Sequence, residues 1–249
     1  MAKKRNIIVV NYNPDNPFIF SGRGSGNSNV TRSIGLYDLH FTYNHEIQER
    51  LEQNYAIPTV YLPFGFELSD ELYHTCTQQN ETVRVCFLGN PDKQRARFIA
   101  TLLDHGVAID VYGSRWNKYL NHKLCTTYAE VYGEDYWKVL YRYRVQLNIM
   151  RIHNENSHNM RSFEVPGIGG IMLAPRTKEH QIFFIEDKEI FMYENAEDCS
   201  RIALVLLKAH ASNISQIRHF ARIKSEKAGF SYKSRADIVY KTLTNFLRR

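Results

Sequence analysis

Long apolar runs are missing from this chain of 249 residues. A helix that crosses a bilayer needs about 20 consecutive, mostly apolar residues, and no stretch of this sequence supplies them. The strand-like run at residues 7–10, directly after the basic N-terminus, is also too short for the core of a signal peptide. The sequence therefore predicts a cytoplasmic protein with no transmembrane segment.

Cysteine is scarce and scattered. The four cysteines stand far apart, without the spacing of metal ligands, and this pattern predicts free thiols in a reducing compartment. Seven prolines and thirteen glycines are ordinary numbers, which argue against a fibrous or a disordered chain. An apolar fraction of 43% is sufficient for a packed core, either in one large domain or in two small ones.

Several catalytic motifs are also absent. The sequence has no Asp-X-Asp pair, no His-Glu-X-X-His and no Gly-X-Ser-X-Gly. The glycine-rich run at residues 21–26 lacks the Gly-Lys-Ser/Thr ending of a Walker A motif, which favours a mobile loop over a phosphate-binding loop. We therefore expect no metal site and no cofactor.

The net charge of +6 allows partners that carry negative charge, such as nucleic acid, an anionic membrane surface or a phosphorylated substrate. The basic residues are dispersed, and the loose cluster between Arg222 and Arg235 has no RNA-binding signature. The sequence therefore disfavours nucleic acid as the partner.

Strand and helix patterns alternate along the chain, which indicates an α/β fold with a mainly parallel sheet. Residues 1–80 contain about three short strands, too few for an independent sheet. A polar stretch without periodicity at residues 68–82 predicts a linker. Residues 81–230 have the pattern of a complete doubly wound domain, and residues 231–249 have that of a C-terminal helix.

Residues 148–173 are the most informative part of the sequence. They have the pattern of a strand, a polar loop, a short helix, a glycine turn and a second strand. Backbone N–H groups at the start of the helix, predicted over residues 160–168, would favour a phosphate. Glu164, one turn further on, could accept hydrogen bonds from sugar hydroxyls. The alternative is an ordinary helix start with a surface glutamate.

This segment carries a family resemblance. Asn159-Met160-Arg161, Phe163-Glu164-Val165-Pro166 and Gly169-Gly170 resemble the signature of CgeB-like glycosyltransferases, which have the GT-B fold. Weaker matches at residues 11–18, 33–38, 85–90 and 111–116 extend the resemblance over nearly the whole chain.

The resemblance implies an α/β, GT-B-like fold. A Rossmann-like C-terminal domain, residues 81–230, would bind the donor, and a shortened Rossmann-like N-terminal domain, residues 1–80, would face the acceptor. The implied activity is the transfer of a sugar from a nucleoside diphosphate sugar to an acceptor that the sequence does not identify.

Candidate residues for binding the nucleotide sugar follow predicted strands or lie in the central segment. They are Gly89, Asn90, Lys93, Arg97, Gly113, Trp116, Asn156, Ser157, Asn159, Met160, Arg161 and Glu164. Lys93, Arg97 and also Arg95 could supply positive charge for phosphate, and Trp116 could stack on a nucleobase. The alternatives are a solvated helix face for the three basic residues and a core position for the tryptophan.

Asp15, Asp38 and His158 are the candidates for a catalytic role. Either aspartate could act as a general base, although an aspartate in a turn is more often a local cap. The alternative for His158 is ordinary loop polarity. Since an Asp-X-Asp motif is missing, we expect a metal-independent reaction in which N–H groups and basic side chains stabilise the leaving diphosphate.

Two other functions stay open. The chain could be a non-catalytic nucleotide-sugar-binding or assembly protein, which the short N-terminal part favours. A homo-oligomer or a partner chain could then complete the N-terminal sheet. The third function is nucleic-acid binding, for which a strongly salt-dependent affinity for DNA or RNA would be the mark.

Overall fold

The computed structural model describes residues 7–19, 26–151 and 156–248. The chain forms two compact units. The smaller unit combines Met1–Phe64, Arg151–His158 and Tyr232–Arg249, and the larger unit combines Gly65–Met150 and Asn159–Ser231. Among the described helices, none has both the length and the apolar character that a bilayer crossing requires.

The smaller unit contains a parallel sheet of three strands in the order β1-β2-β3. The strands are β1 (Val10–Asn13), β2 (Leu39–Thr42) and β3 (Thr59–Tyr61). The helices of this unit are α1 (Ser28–Ser33), α2 (His45–Tyr55) and α10 (Tyr232–Leu247), with a short 3-10 helix at Ile34–Leu36. The Asn44 side chain begins α2 by accepting a hydrogen bond from the Ile47 N–H.

Helix α10 covers the apolar face of this sheet. Leu39, Phe41 and Leu62 form a buried cluster, against which four side chains of the helix pack. These are Ile238, Val239, Leu243 and Phe246. The spacing of the four residues is that of one helical face, so the last helix supplies the cover for strands from the start of the chain.

The larger unit contains a parallel sheet of six strands in the order β6-β5-β4-β7-β8-β9. Its strands are β4 (Thr82–Leu88), β5 (Ile109–Tyr112), β6 (Cys125–Tyr128), β7 (Tyr143–Leu147), β8 (Met172–Pro175) and β9 (Phe191–Tyr193). Its helices are α3 (Asp70–Thr77), α4 (Lys93–Asp104), α5 (Gly133–Arg142), α6 (Arg161–Gly167), α7 (Lys178–Phe183), α8 (Ala196–Lys208) and α9 (Ala211–Lys227). A further 3-10 helix spans Trp116–Lys118. The predicted α/β fold class with parallel sheets is confirmed.

The strand order reverses between β4 and β7. From β4 the chain moves outward to β5 and β6, and from β7 it moves outward in the other direction to β8 and β9. Ligands of open parallel sheets bind beyond the carboxyl ends of the strands at such a reversal. We therefore expect a ligand site at the segments that follow β4, β5 and β7.

The segment predicted as a linker, residues 68–82, contains helix α3 instead. The Ser69 hydroxyl caps it by accepting a hydrogen bond from the Leu72 N–H, and two acidic residues stand in its first turn. The helix buries Cys76. The sequence carried these start signals, but eight mostly polar residues show little hydrophobic periodicity, so the linker prediction was wrong for this stretch.

A chain of buried hydrogen bonds joins β5 to β7 in the larger unit. The Arg142 guanidinium donates to the Tyr112 hydroxyl at 2.9 Å, and the two hydroxyls of Tyr112 and Tyr143 lie 3.0 Å apart. The Tyr143 hydroxyl donates to the Asp110 carboxylate at 2.8 Å, and Arg84 also donates to that carboxylate at 2.8 Å. The hydroxyls of Tyr112 and Tyr143 and the Asp110 carboxylate therefore each have a partner in this network.

Tyr143→Phe should test this network. The variant leaves the Tyr112 hydroxyl without its acceptor and takes one donor from Asp110, so the free energy of unfolding should fall by about 1–2 kcal/mol. Urea denaturation measures the change, with Tyr119→Phe, at a tyrosine that is 45% exposed, as the matched control. Equal stability of the two variants would contradict the prediction.

Candidate functional site

A pocket of about 170 Å³ lies at the carboxyl edge of the six-stranded sheet. Four segments of the larger unit line it: the ends of β4 and β5, the segment from Glu130 into α5, and the start of α6. The side chains around it include Asn90, Tyr132, Tyr136 and Arg161. The pocket thus lies at the edge where the strand order predicts a ligand site.

Two glycines shape the floor of the pocket. Gly113 has a φ of +149°, a backbone conformation that other residues rarely adopt. A β carbon at this position would lie 2.4 Å from the carbonyl oxygen of Gly89. Only glycine therefore allows the loops after β4 and β5 to approach each other so closely. Both residues line the pocket, where the sequence placed them as candidates.

Trp116, which follows the loop after β5, is hydrogen-bonded to the loop after β4. Its side chain is 1% exposed, and its indole N–H donates to the Gly89 carbonyl at 2.8 Å. Its ring packs edge-on against Phe87, with 5.7 Å between the ring centroids. The structure thus supports the core interpretation of Trp116, because no face of the ring is open for stacking on a nucleobase.

The basic residues of α4 divide between two environments. Lys93 and Arg97 are exposed and are not among the residues that line the pocket. Arg95 is instead 8% exposed and donates to the backbone carbonyls of Asn90 and Ile149, at 3.3 and 2.9 Å. Of the three basic candidates, Arg95 therefore holds the ends of β4 and β7 instead of lying on the predicted solvated face, and Lys93 and Arg97 do lie on such a face.

The start of α6 is held by a buried polar network. The Asn159 amide donates to the Asn148 side-chain oxygen at 2.8 Å, and the Ser162 N–H donates to the Asn159 oxygen at 3.2 Å. The Ser162 hydroxyl and the His180 Nε2 atom lie 2.8 Å apart, and the His180 Nδ1 atom lies 2.8 Å from the Pro175 carbonyl oxygen. Nδ1 therefore donates to that carbonyl, and the imidazole is fixed between the Pro175 carbonyl and the Ser162 hydroxyl.

Sequence analysis missed Asn148, Ser162 and His180 in this network. Asn148 and Ser162 belong to the central segment, and the position of Asn148 directly after a buried strand could have marked it as a site residue. No sequence pattern marked His180, because it belongs to the next helix, α7. The network assigns Asn159 a structural role at the start of α6, and Met160 beside it is 47% exposed.

Glu164 is held by two partners. Its Oε2 atom accepts a hydrogen bond from the Tyr136 hydroxyl and lies 2.7 Å from Nη1 of Arg161. The Arg161 guanidinium also donates to the Tyr136 hydroxyl and lies over the tyrosine ring, 4.5 Å from its centroid. A positive charge, a hydroxyl and a carboxylate thus meet beside the pocket, and Tyr136 is the member that sequence analysis missed.

Asn156, Ser157 and His158 belong to the smaller unit. Asn156 is exposed, and Ser157 is fully buried. His158 is fully buried too; its Nε2 atom accepts a hydrogen bond from the Phe64 N–H at 3.2 Å, and its ring packs edge-on against Tyr43 and Phe64. The sequence offered a catalytic role or a polar loop position for His158. The structure places the imidazole in a buried aromatic environment, which neither interpretation had described.

The two candidate aspartates accept backbone hydrogen bonds in the smaller unit. Asp15 accepts a hydrogen bond from the Asn16 N–H at 3.0 Å, which fits the local-cap interpretation. Asp38 accepts one from the Val9 N–H at 2.9 Å, beside the pairing of β1 with β2. Since Val9 lies 29 positions earlier in sequence, this second contact is not a local cap. The glycine-rich run at residues 21–26 lies outside the described residues except for Gly26.

Solved structures share this fold. TarM of S. aureus has a TM-score of 0.71 at 12% identity, covering 96% of this chain and 50% of its own. HepE of Anabaena, in complex with UDP-glucose, has a TM-score of 0.71 at 11% identity and coverages of 98% and 74%. A glycosyltransferase of Rickettsia africae has a TM-score of 0.65 at 11% identity and coverages of 100% and 79%.

The parallel sheets and these similarities define the fold as that of GT-B glycosyltransferases. The chain belongs to the glycosyl transferase-like family, whose model matches residues 93–240. It spans about half the length of TarM, with which it was compared. A search of curated proteins gave no match.

Proposed function

We propose that this chain is a glycosyltransferase that binds a nucleoside diphosphate sugar in the pocket of the larger unit and transfers its sugar to an acceptor. The observation that carries the proposal is the pocket at the strand-order reversal, with Arg161 at its edge and Glu164 bound to Arg161. In this proposal Arg161 attracts the diphosphate and Glu164 accepts hydrogen bonds from the ribose hydroxyls. The motif of Asn159–Arg161 and Phe163–Gly170 favours the CgeB-like branch of the family.

UDP is the first nucleotide to test. TarM and HepE, which share the fold, are described in complex with UDP, and HepE also with UDP-glucose. Their identity to this chain is too low to carry the choice of base, so GDP, ADP and dTDP belong in the same experiment. The chemistry of the site, one cation and one carboxylate, suits the diphosphate that all four share and the ribose diol of UDP, GDP and ADP, whereas dTDP lacks the 2′-hydroxyl.

A thermal-shift screen tests donor binding directly. A nucleotide present at a hundred times its Kd should stabilise the protein by roughly 2.7 kcal/mol, which appears as a raised melting temperature. Inorganic pyrophosphate at the same concentration is the control for simple anion binding. A melting temperature that none of the four nucleotides raises above the pyrophosphate value would contradict the proposal.

We expect transfer to be independent of a divalent metal. The sequence has no Asp-X-Asp pair, and the described residues include no group of three His, Cys, Asp or Glu side chains placed to hold an ion. The release of UDP from a UDP-sugar should therefore proceed at the same rate with and without EDTA, because protein cations stabilise the leaving diphosphate. Loss of activity with EDTA that Mg²⁺ or Mn²⁺ restores would refute this prediction.

A non-catalytic nucleotide-sugar-binding protein is the second candidate. It is favoured by the contacts of Asp15, Asp38 and His158, because each of these three predicted catalytic side chains accepts a hydrogen bond from a backbone N–H of the smaller unit. The two candidates differ in one measurement. A binding protein should hold UDP-sugar without releasing UDP, whereas a transferase should release UDP slowly to water and faster once its acceptor is present.

A further inference from the structure

The hydroxyl of Tyr136 connects Arg161, which lines the pocket, with Glu164, which lies beside it. Tyr136 belongs to α5, whereas Arg161 and Glu164 belong to the first turn of α6. The Arg161 guanidinium donates to the tyrosine oxygen, and the tyrosine hydroxyl donates to Oε2 of Glu164. The hydrogen bonds therefore run in one direction, from the cation through the phenol to the carboxylate.

The two oxygens of Glu164 are in different situations. Oε2 accepts from both Tyr136 and Arg161, whereas Oε1 accepts no hydrogen bond from the described residues. The Glu164 side chain is 14% exposed. A carboxylate oxygen has two acceptor positions, so Oε1 keeps its capacity for hydrogen bonds from a ligand.

The protonation of Tyr136 suits this arrangement. Burial raises the pKa of the Tyr136 hydroxyl well above its ordinary value; the Arg161 charge opposes that rise and the Glu164 charge adds to it. The phenol therefore keeps its proton at neutral pH. A neutral phenol can only donate that proton to a carboxylate, which fixes the direction of the hydrogen bond to Oε2.

We propose that Tyr136 is a positioning residue for donor binding: with Arg161, it holds Oε2 of Glu164 so that Oε1 is presented to the ribose diol of the nucleotide. The inference rests on the proposed function of Glu164. A carboxylate fixed before binding loses less conformational freedom when the ligand arrives, so its hydrogen bonds contribute more to affinity. Tyr136 itself needs no contact with the donor.

The test compares UDP with 2′,3′-dideoxy-UDP, which lacks both ribose hydroxyls. In Tyr136→Phe, calorimetry should find the affinity for UDP lowered about tenfold, whereas the affinity for the dideoxy nucleotide should stay close to that of the unaltered protein. Tyr240→Phe, a matched change at a tyrosine that is 71% exposed in α10, should alter neither affinity. If Tyr136 had a purely structural role, Tyr136→Phe would lower the affinities for UDP and for the dideoxy nucleotide by the same factor. That result would overturn the inference.

Glu164→Ala separates this inference from the proposed function. If that variant still discriminates between UDP and the dideoxy nucleotide, the ribose role of Glu164 is wrong. If it loses the discrimination but Tyr136→Phe keeps it, the positioning role alone is wrong. Adding Tyr136→Phe to Glu164→Ala should cause no further loss of UDP affinity, because the phenol acts through the carboxylate. A further loss in the double variant would overturn the inference even if Tyr136→Phe alone behaved as expected.

Discussion

Replacing Gly113 with alanine is expected to lower the free energy of unfolding by about 2–4 kcal/mol. The new β carbon would lie 2.4 Å from the Gly89 carbonyl oxygen, and a φ of +149° is strained for any residue with a side chain. Both loops would have to move, and both line the pocket. We therefore expect nucleotide affinity to fall together with stability.

Gly35→Ala is the matched control for Gly113→Ala. Gly35 is exposed in the 3-10 helix Ile34–Leu36, and a β carbon there would meet no atom within 4 Å. Chemical denaturation should therefore give a clearly lower free energy of unfolding for Gly113→Ala than for Gly35→Ala. If Gly113→Ala were as stable as Gly35→Ala, the close approach of the two pocket loops would be wrong.

Replacing Glu164 with alanine should weaken UDP binding by about 1.5–3 kcal/mol, the usual loss for a hydrogen bond to a charged group. The fold should persist, because Glu164 belongs to a short helix whose start is held by Asn148, Asn159 and Ser162. Calorimetry gives the affinity, and circular dichroism checks the fold. Glu49→Ala, on the exposed face of α2, is the control for removing a carboxylate.

Unchanged UDP affinity in a folded Glu164→Ala protein would exclude Glu164 from the donor site. Glu164→Gln gives a second measurement, because it keeps the shape of the side chain and removes the charge. The amide should bind UDP more weakly than the carboxylate does, since a neutral acceptor makes weaker hydrogen bonds than an ionised one. Equal affinity of the glutamine and unaltered proteins would indicate that shape alone matters at this position.

The sequence predicted the buried strands of the larger unit because their apolar runs are dense and flanked by turn residues. The apolar run at residues 83–88 lies within β4, which occupies Thr82–Leu88, and the run at 107–112 contains β5, which occupies Ile109–Tyr112. Strand β6 was missed, because it is an edge strand with three exposed residues in the sequence Cys-Thr-Thr-Tyr. Hydrophobic periodicity does not mark a strand that buries so little.

The site was predicted less completely than the fold. Gly89 and Gly113, which line the pocket, could be chosen as candidates because each glycine directly follows a predicted parallel strand. Trp116, whose role stayed open between stacking and the core, and Tyr136, which was missed, show what the sequence could not supply. The environment of each depends on residues that lie far away in sequence: the Trp116 indole bonds to Gly89, and the Tyr136 phenol bonds to Glu164, 28 positions further on. No local pattern contains such pairings.

The cover that α10 provides for the three-stranded sheet has a consequence for biosynthesis. Leu39, Phe41 and Leu62 are translated well before Ile238 and Leu243, which pack on them and follow Leu62 by 176 and 181 positions. Since translation proceeds at about 5–20 residues per second, roughly ten seconds or longer pass between synthesis of the sheet and synthesis of the helix that covers it. During that interval the nascent chain exposes an apolar surface. We expect this stretch of synthesis to be the period in which the protein depends most on chaperones.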